Sequence, residues 1–256
     1  MVPGESLLQG FGNFNIMHFI DKYFWVFSTF LVPFLYLVVA AAFYLVCYVW
    51  KNNTLQDYKI QSGKLAVSQI KRELGYSIIS LMLFAQMGFI VFLLYRYGYS
   101  QVYMNINKYG ILYFFLSAIL MILFHDMYFY WTHRLLHLPG LYQKIHSIHH
   151  LSSNPSPFTS LAFHPVESII QAAVLPLMVV IIPSHPFAIF AFLIYMVYKN
   201  VRGHAGYEFT SSTHRQNKWN KLHSYSIHHN EHHLFGRGNY GLYFTIWDRL
   251  MKTFRK

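Results

Sequence analysis

From residue 24 to residue 50 the chain reads FWVFSTFLVPFLYLVVAAAFYLVCYVW, without one charged side chain. A helix needs about 20 apolar residues to cross a bilayer. This stretch therefore predicts a spanning helix, with Pro33 a place where it can kink. A second span is predicted from Gly75 to Tyr95 and a third over 110–131. Residues 167–200 are apolar too, but Pro183-Ser184-His185-Pro186 interrupts them. That pattern predicts two shorter helices in a hairpin, spanning or re-entrant. Residues 152–159 (SSNPSPFT) form a loop. No repeat and no low-complexity tract occurs. The expected fold is an all-α, multi-pass transmembrane bundle, with four spanning helices or three plus a helical hairpin.

The polar positions between the spans set the orientation. The stretch 51–74 carries Lys51, Lys59, Lys64, Lys71 and Arg72, whereas 96–109 carries only Arg96 and Lys108. Nine Lys or Arg follow residue 201. The positive-inside bias puts 51–74 and the tail in the cytoplasm. Segment 132–166, with the first and second histidine clusters, then falls on the same side. So does 201–256, with the last cluster, and the two make a cytosolic helical cap.

Composition agrees with lipid as the solvent. Of 256 residues, 55% are hydrophobic and only 11% charged, against about 25% charged in soluble domains. The length suits a single integral membrane domain over 1–256. The formal charge of +11 flanks apolar spans, which fits contact with anionic lipid and not nucleic acid. Cys47 is the one cysteine, which excludes an internal disulfide and a thiolate metal site. No basic region followed by a short apolar stretch and a cleavage site opens the chain, so no cleavable signal peptide is expected.

Sixteen histidines stand against nine Asp plus Glu. His133 and His137 lie one helical turn apart, with Asp126 seven residues earlier on the same face. His146, His149 and His150 have spacings of three and four. His204 stands in Gly203-His204-Ala205-Gly206. His228, His229, His232 and His233 repeat the second spacing with one extra ring. Clustered neutral imidazoles in an apolar protein are costly without a metal or dense hydrogen bonding. Ten candidates exceed the four ligands of a zinc site and suit two ions at five imidazoles each.

Imidazole accepts zinc, copper, iron or nickel. An apolar membrane protein without a nucleophile motif has little use for a hydrolytic ion. It has a use for an oxidant of unactivated C–H bonds, which favours two iron ions. Zinc is expected to substitute in purified protein. The Glu and Glu-x-x-His pattern of carboxylate-bridged di-iron bundles is absent. Asp126, Glu167, Glu208 and Glu231 are the acids near the clusters. Asp126, Glu208 and Glu231 are expected to orient ligand rings, with His164, His223 and Asn230 as further polar neighbours. His18 and His185 are expected at the interface and His125 at the membrane boundary. Two other classes make different demands of the sequence. A bis-histidine haem carrier needs rings facing each other across spanning helices. A metal transporter needs ionisable side chains in mid-membrane, and 24–50 and 75–95 supply none for such a path.

The motifs HDMYFYWTHRLLH, HSIHH, AFHPVE, GHAGYE, HHNEHH and NYGLYFTIWDRLMKT, from His125 to Thr253, resemble the fatty acid hydroxylase/sterol desaturase superfamily of membrane non-haem di-iron oxygenases. The family's three histidine boxes fall on His133 and His137, on His146, His149 and His150, and on His228, His229, His232 and His233. His204 matches its further histidine. Residues 51–95 resemble the sterol desaturase branch. Asn230 stands where the family often has Asp, and Lys252-Thr253 where it usually has Gly-Thr. The resemblance implies oxidation of a lipid C–H bond, hydroxylation or desaturation, in an apolar cavity between the helices. It also implies electrons from a separate donor of the cytochrome b5/reductase or ferredoxin type. The setting would be an endoplasmic reticulum or bacterial inner membrane.

Overall fold

The computed structural model describes residues 16–51 and 53–255. The expectations about an N-terminal leader and about the His18 side chain lie outside the described residues.

Three long apolar helices form the bundle: α1 (Ile16–Tyr44, extended by a π-helical stretch Leu45–Trp50), α2 (Val67–Arg96) and α3 (Gly110–Leu136). Each is long and apolar enough to cross a membrane. Their outward faces carry bare hydrocarbon. Phe30, Phe34, Leu112 and Phe115 are 53–81% exposed, an arrangement that suits lipid and not water. The inward faces bury Tyr36, Ala40, Leu81 and Met121. In lipid, helices gain little from apolar contact alone, so small residues and hydroxyls join them. The Tyr36 hydroxyl meets Ser77 Oγ at 2.9 Å, Ser80 Oγ meets Ser168 Oγ at 2.8 Å, and Tyr128 donates to Ile170 O at 2.7 Å.

Two short helices follow α3: α4 (Pro139–Leu141) and, after a π-helical turn at Tyr142–His146, α5 (Ser147–His150). The hairpin is α6 (Pro165–Ala172), α7 (Val174–Ile181) and α8 (Pro186–His204). Pro183 cannot continue α7, Pro186 starts α8, and the His185 ring caps it by accepting from Phe187 N. The bundle is thus three long helices plus a hairpin. The tail adds α9 (Ser212–Gln216), α10 (Ser226–Phe235) and α11 (Ile246–Leu250).

Three span limits differ from expectation, the first being α1, which starts at Ile16 and not at residue 24. Helix α3 runs five residues past 131, and α2 starts at Val67, before Gly75. Charge marks where hydrocarbon stops, whereas a helix continues while its polar side chains find partners. Glu73, 1% exposed, accepts from Gln69 Nε2, Ser152 Oγ and Thr159 Oγ1 at 2.6–2.8 Å, and also from Ser156.

One end of the bundle gathers the polar chain. Ile60 N donates to Gly206 O at 3.0 Å and Glu208 N to Tyr58 O at 2.8 Å, which joins the 51–66 stretch to the tail. At the opposite end Gln101 N donates to Val179 O at 2.7 Å and Tyr103 N to Ser184 O at 3.2 Å.

Candidate metal centre

Four elements reach one point at the polar end. The last turn of α3 supplies His133, and His137 follows as its C-cap. The stretch leading into α5 supplies His146, and α5 itself His149 and His150. The last turn of α8 supplies His204, and α10 His229, His232 and His233. Successive helical residues point about 100° apart. His149 and His150 therefore diverge, as do His232 and His233.

The result is two adjacent groups. His133, His137, His146, His150 and His232 form one, and His149, His204, His229 and His233 form the other. Within each group one ring nitrogen per residue lies within 4.8 Å of every other. His150 and His233, one from each group, have ring centroids 4.8 Å apart. All nine are buried except His137, which is partly buried.

The rings are held from behind. His133 Nδ1 donates to Tyr240 O at 3.0 Å, His204 Nδ1 to Asn200 O at 2.8 Å and His232 Nδ1 to Gly238 O at 2.6 Å. His146 Nδ1 meets Glu167 Oε1 at 2.7 Å, both side chains 1% exposed. A carbonyl can only accept, so Nδ1 carries the proton and Nε2 turns a lone pair inward. Burial pushes His146, His149, His229, His232 and His233 well below the usual imidazole range, and repulsion from neighbouring rings adds to it. These rings are neutral at pH 7.

Inward lone pairs nevertheless crowd together. The Nε2 atoms of His133 and His146 are 3.1 Å apart, those of His137 and His232 3.1 Å, of His149 and His204 3.3 Å, and of His204 and His229 2.8 Å. His133 and His204 spend their protons on backbone carbonyls, so their Nε2 atoms turn only lone pairs toward His146, His149 and His229. A cation resolves this. At metal–nitrogen distances of about 2.0–2.1 Å, adjacent ligands of one ion lie about 3 Å apart. Neither ring nitrogen of His150 or of His233 has a protein partner, so each ring has a lone pair free for a cation. The donor set fits two ions that favour imidazole. Ring centroids within the groups lie as close as 4.2 Å, too close to seat a haem macrocycle between two of them.

His228 is not brought to either group. It sits 100° around α10 from His229, with its Nδ1 3.3 Å from Tyr225 N and its ring against Phe254. The expected orienting residues are also elsewhere. Asp126 Oδ1 accepts from Tyr243 N and Phe244 N, which pins the tail to α3. Glu208 accepts from Thr210 N and pairs with Arg202 at 3.5 Å. Asn230 Oδ1 accepts from Gln61, Glu231 accepts from Asn239, His164 caps α6, and the His223 ring lies on Phe244. None of these bonds is to a ring of either group. Glu167, near the clusters in sequence but without an expected role, is the acid that does reach a ring, that of His146. Its signal was a lone carboxylate opening an apolar helix, costly unless paired. His125 is 4% exposed and bonds the Tyr243 hydroxyl at 2.8 Å, and His185 is 2% exposed and bonds Met104 O. Both rings are buried by protein and spend a nitrogen on it.

The fatty acid hydroxylase family profile matches residues 118–253. The chain is 32% identical to human lathosterol oxidase over 190 residues, 73% of this chain and 62% of that protein. It is 30% identical over 222 residues to Delta(7)-sterol 5(6)-desaturase erg31 of Schizosaccharomyces pombe, covering 87% of this chain and 69% of that one. Delta(7)-sterol 5(6)-desaturase erg32 of the same yeast is 35% identical over 161 residues, 62% of this chain and 46% of that protein. No solved structure matches the chain.

Proposed function

The chain belongs to the fatty acid hydroxylase family, and on that premise we propose that it oxidises a lipid C–H bond with O₂ at two histidine-held iron ions. The observation that carries this reading is the pair of adjacent buried imidazole groups at the end of a membrane bundle. His133, His137, His146, His150 and His232 hold one ion, and His149, His204, His229 and His233 the other. Bound iron supplies what no side chain can, activation of O₂ and removal of hydrogen from an unactivated C–H bond. The product is an alcohol or a double bond.

The protein's own work is placement. Tyr240 O, Asn200 O, Gly238 O and Glu167 keep protons on Nδ1 and aim Nε2 inward. Phe129, 5.1 Å from the His133 ring, and Phe163, 5.0 Å from His149, wall the site against water. The names of the relatives support a sterol as the lipid. The basic 51–74 stretch and tail put the histidines on the cytoplasmic side. Electrons come there from a separate donor protein of the cytochrome b5/reductase or ferredoxin type.

Expression in iron-replete cells tests this directly. Lipid profiling should find a lipid class altered by the wild-type chain and unaltered by His149→Ala, and metal analysis about two irons per chain. Equal lipid profiles for both chains would overturn the reading.

A further inference from the structure

A cavity of about 30 Å³ lies among α1, α2, α3, α6 and α8, separated from the candidate metal ligands by phenylalanine side chains. Phe129 and Phe163, which touch the His133 and His149 rings, form part of its wall. The wall is otherwise apolar except for four polar side chains. Two of these are engaged: Tyr36 OH with Ser77 Oγ at 2.9 Å, and His125 Nδ1 with Tyr243 OH at 2.8 Å. The other two are not. Gln171 Oε1 and Asn200 Oδ1 are buried without a hydrogen-bond partner. Gln171 is 6% exposed. Asn200 Nδ2 donates to Ser160 O at 3.1 Å, which fixes the direction of its amide.

Two buried amides on an apolar space call for a polar partner. Asn200 Oδ1, its amide fixed, can accept the proton of one hydroxyl. The Gln171 amide, held by no protein hydrogen bond among the described residues, can turn its Nε2 to donate to that hydroxyl's oxygen. The room exceeds the 10–15 Å³ or so that one water-sized group occupies. The position is specific as well. Asn200 O accepts from His204 Nδ1, and Gln171 lies one turn along α6 from Glu167, which holds His146. Farther along α1 and α8 a second apolar space, about 220 Å³, is lined by Leu31, Leu175, Ile189 and Leu193. From Ile189 to Asn200, α8 covers both spaces, about 16 Å at 1.5 Å per residue.

Building on the lipid-oxidation reading, we propose that Gln171 and Asn200 receive the hydroxyl of a lipid that enters hydroxyl first. The C–H bonds a few positions from that hydroxyl then lie toward the metal ligands, and the apolar body extends along α1 and α8. A sterol has this chemistry, one hydroxyl on the end of a rigid apolar frame. A fatty-acyl chain would bring methylene groups to the ligands and would need no acceptor there.

Binding separates the two. Purified protein without reductant is titrated with radiolabelled cholesterol and with its 3-deoxy analogue. The wild-type chain should prefer the hydroxylated sterol about tenfold or more. Asn200→Leu and Gln171→Met should each reduce that preference to about twofold or less. Binding of the deoxy sterol and metal content should be unchanged. If one variant does not fold, the other decides. Equal affinity of the wild-type chain for both sterols, no binding of either, or a preference kept in the folded variants would overturn the proposal. Equal affinity of the wild-type chain for both sterols beside intact His149-dependent lipid oxidation would sink this inference alone. A hydroxyl preference without any His149-dependent lipid change would sink the oxidation reading and leave this pocket standing.

Discussion

His228 and His229 are neighbours in sequence and differ by 100° around α10, which decides their fates. Spacings of three and four made the gathering of the histidines legible, because helical periodicity needs nothing beyond the chain. Which ring of HHNEHH turns outward was not legible, since it depends on where α3, α5 and α8 stand around α10. The orienting partners were hidden for a related reason. Three of the four are backbone carbonyls, and a carbonyl leaves no mark in a sequence. Glu167 was visible as a residue but not as the partner of His146, 21 positions away. Removing such a partner from a ligand ring typically costs ten- to a hundredfold in metal affinity. Glu167→Ala should therefore weaken metal binding by about that factor, read by chelator competition, while His228→Ala leaves it unchanged. The reverse order would break the assignment of both residues.

At the scale of elements, the spans were legible from apolar length, and their ends were not. Glu73 and Arg72 looked like loop residues because charge ends hydrocarbon. In the structure α2 carries them on past the apolar stretch, and Glu73 ties the 152–159 loop to that helix through three hydroxyls. The contact of α1 with α2 was equally silent in the sequence. A Cβ on Gly88 would lie 1.7 Å from Ser28 O, a backbone atom that cannot rotate away. The glycine there lets two spanning helices approach closely. Gly75, on the same helix, has nothing within 4 Å of such a Cβ. Gly88→Ala should thus destabilise the protein by about 1–3 kcal/mol through overpacking, seen as a lower Tm in detergent. Gly75→Ala should leave Tm level or raise it slightly, since alanine favours the helix. Matching shifts in the two variants would mean that α1 and α2 are not in close contact at Gly88.

On the scale of the whole molecule, the site and the fold are one object. Its ligands come from residues 133–150, from 204 and from 229–233, so folding the bundle and assembling the site happen together. That coupling has a sign in pH. Burial, with repulsion from His133, lowers His150 from the usual 6.5 to about 3, and His146, His149, His229, His232 and His233 are lowered as well. The folded state binds fewer protons on these rings than the unfolded chain does. Their contribution is complete above pH 6.5 and is lost as pH falls toward the lowered values. Each such ring removes about 1.4 kcal/mol per pH unit within that window. Protein stripped of metal by a chelator should therefore lose thermal stability steadily as pH drops from 6.5 toward 4. The metal-loaded protein should hold its Tm to a lower pH, because a ligand bound only by the folded state stabilises it and must first be displaced by protons. A stripped protein whose Tm stays flat across that range would mean that the imidazoles are open to water, and with that the case for an enclosed pair of metal ions would fall.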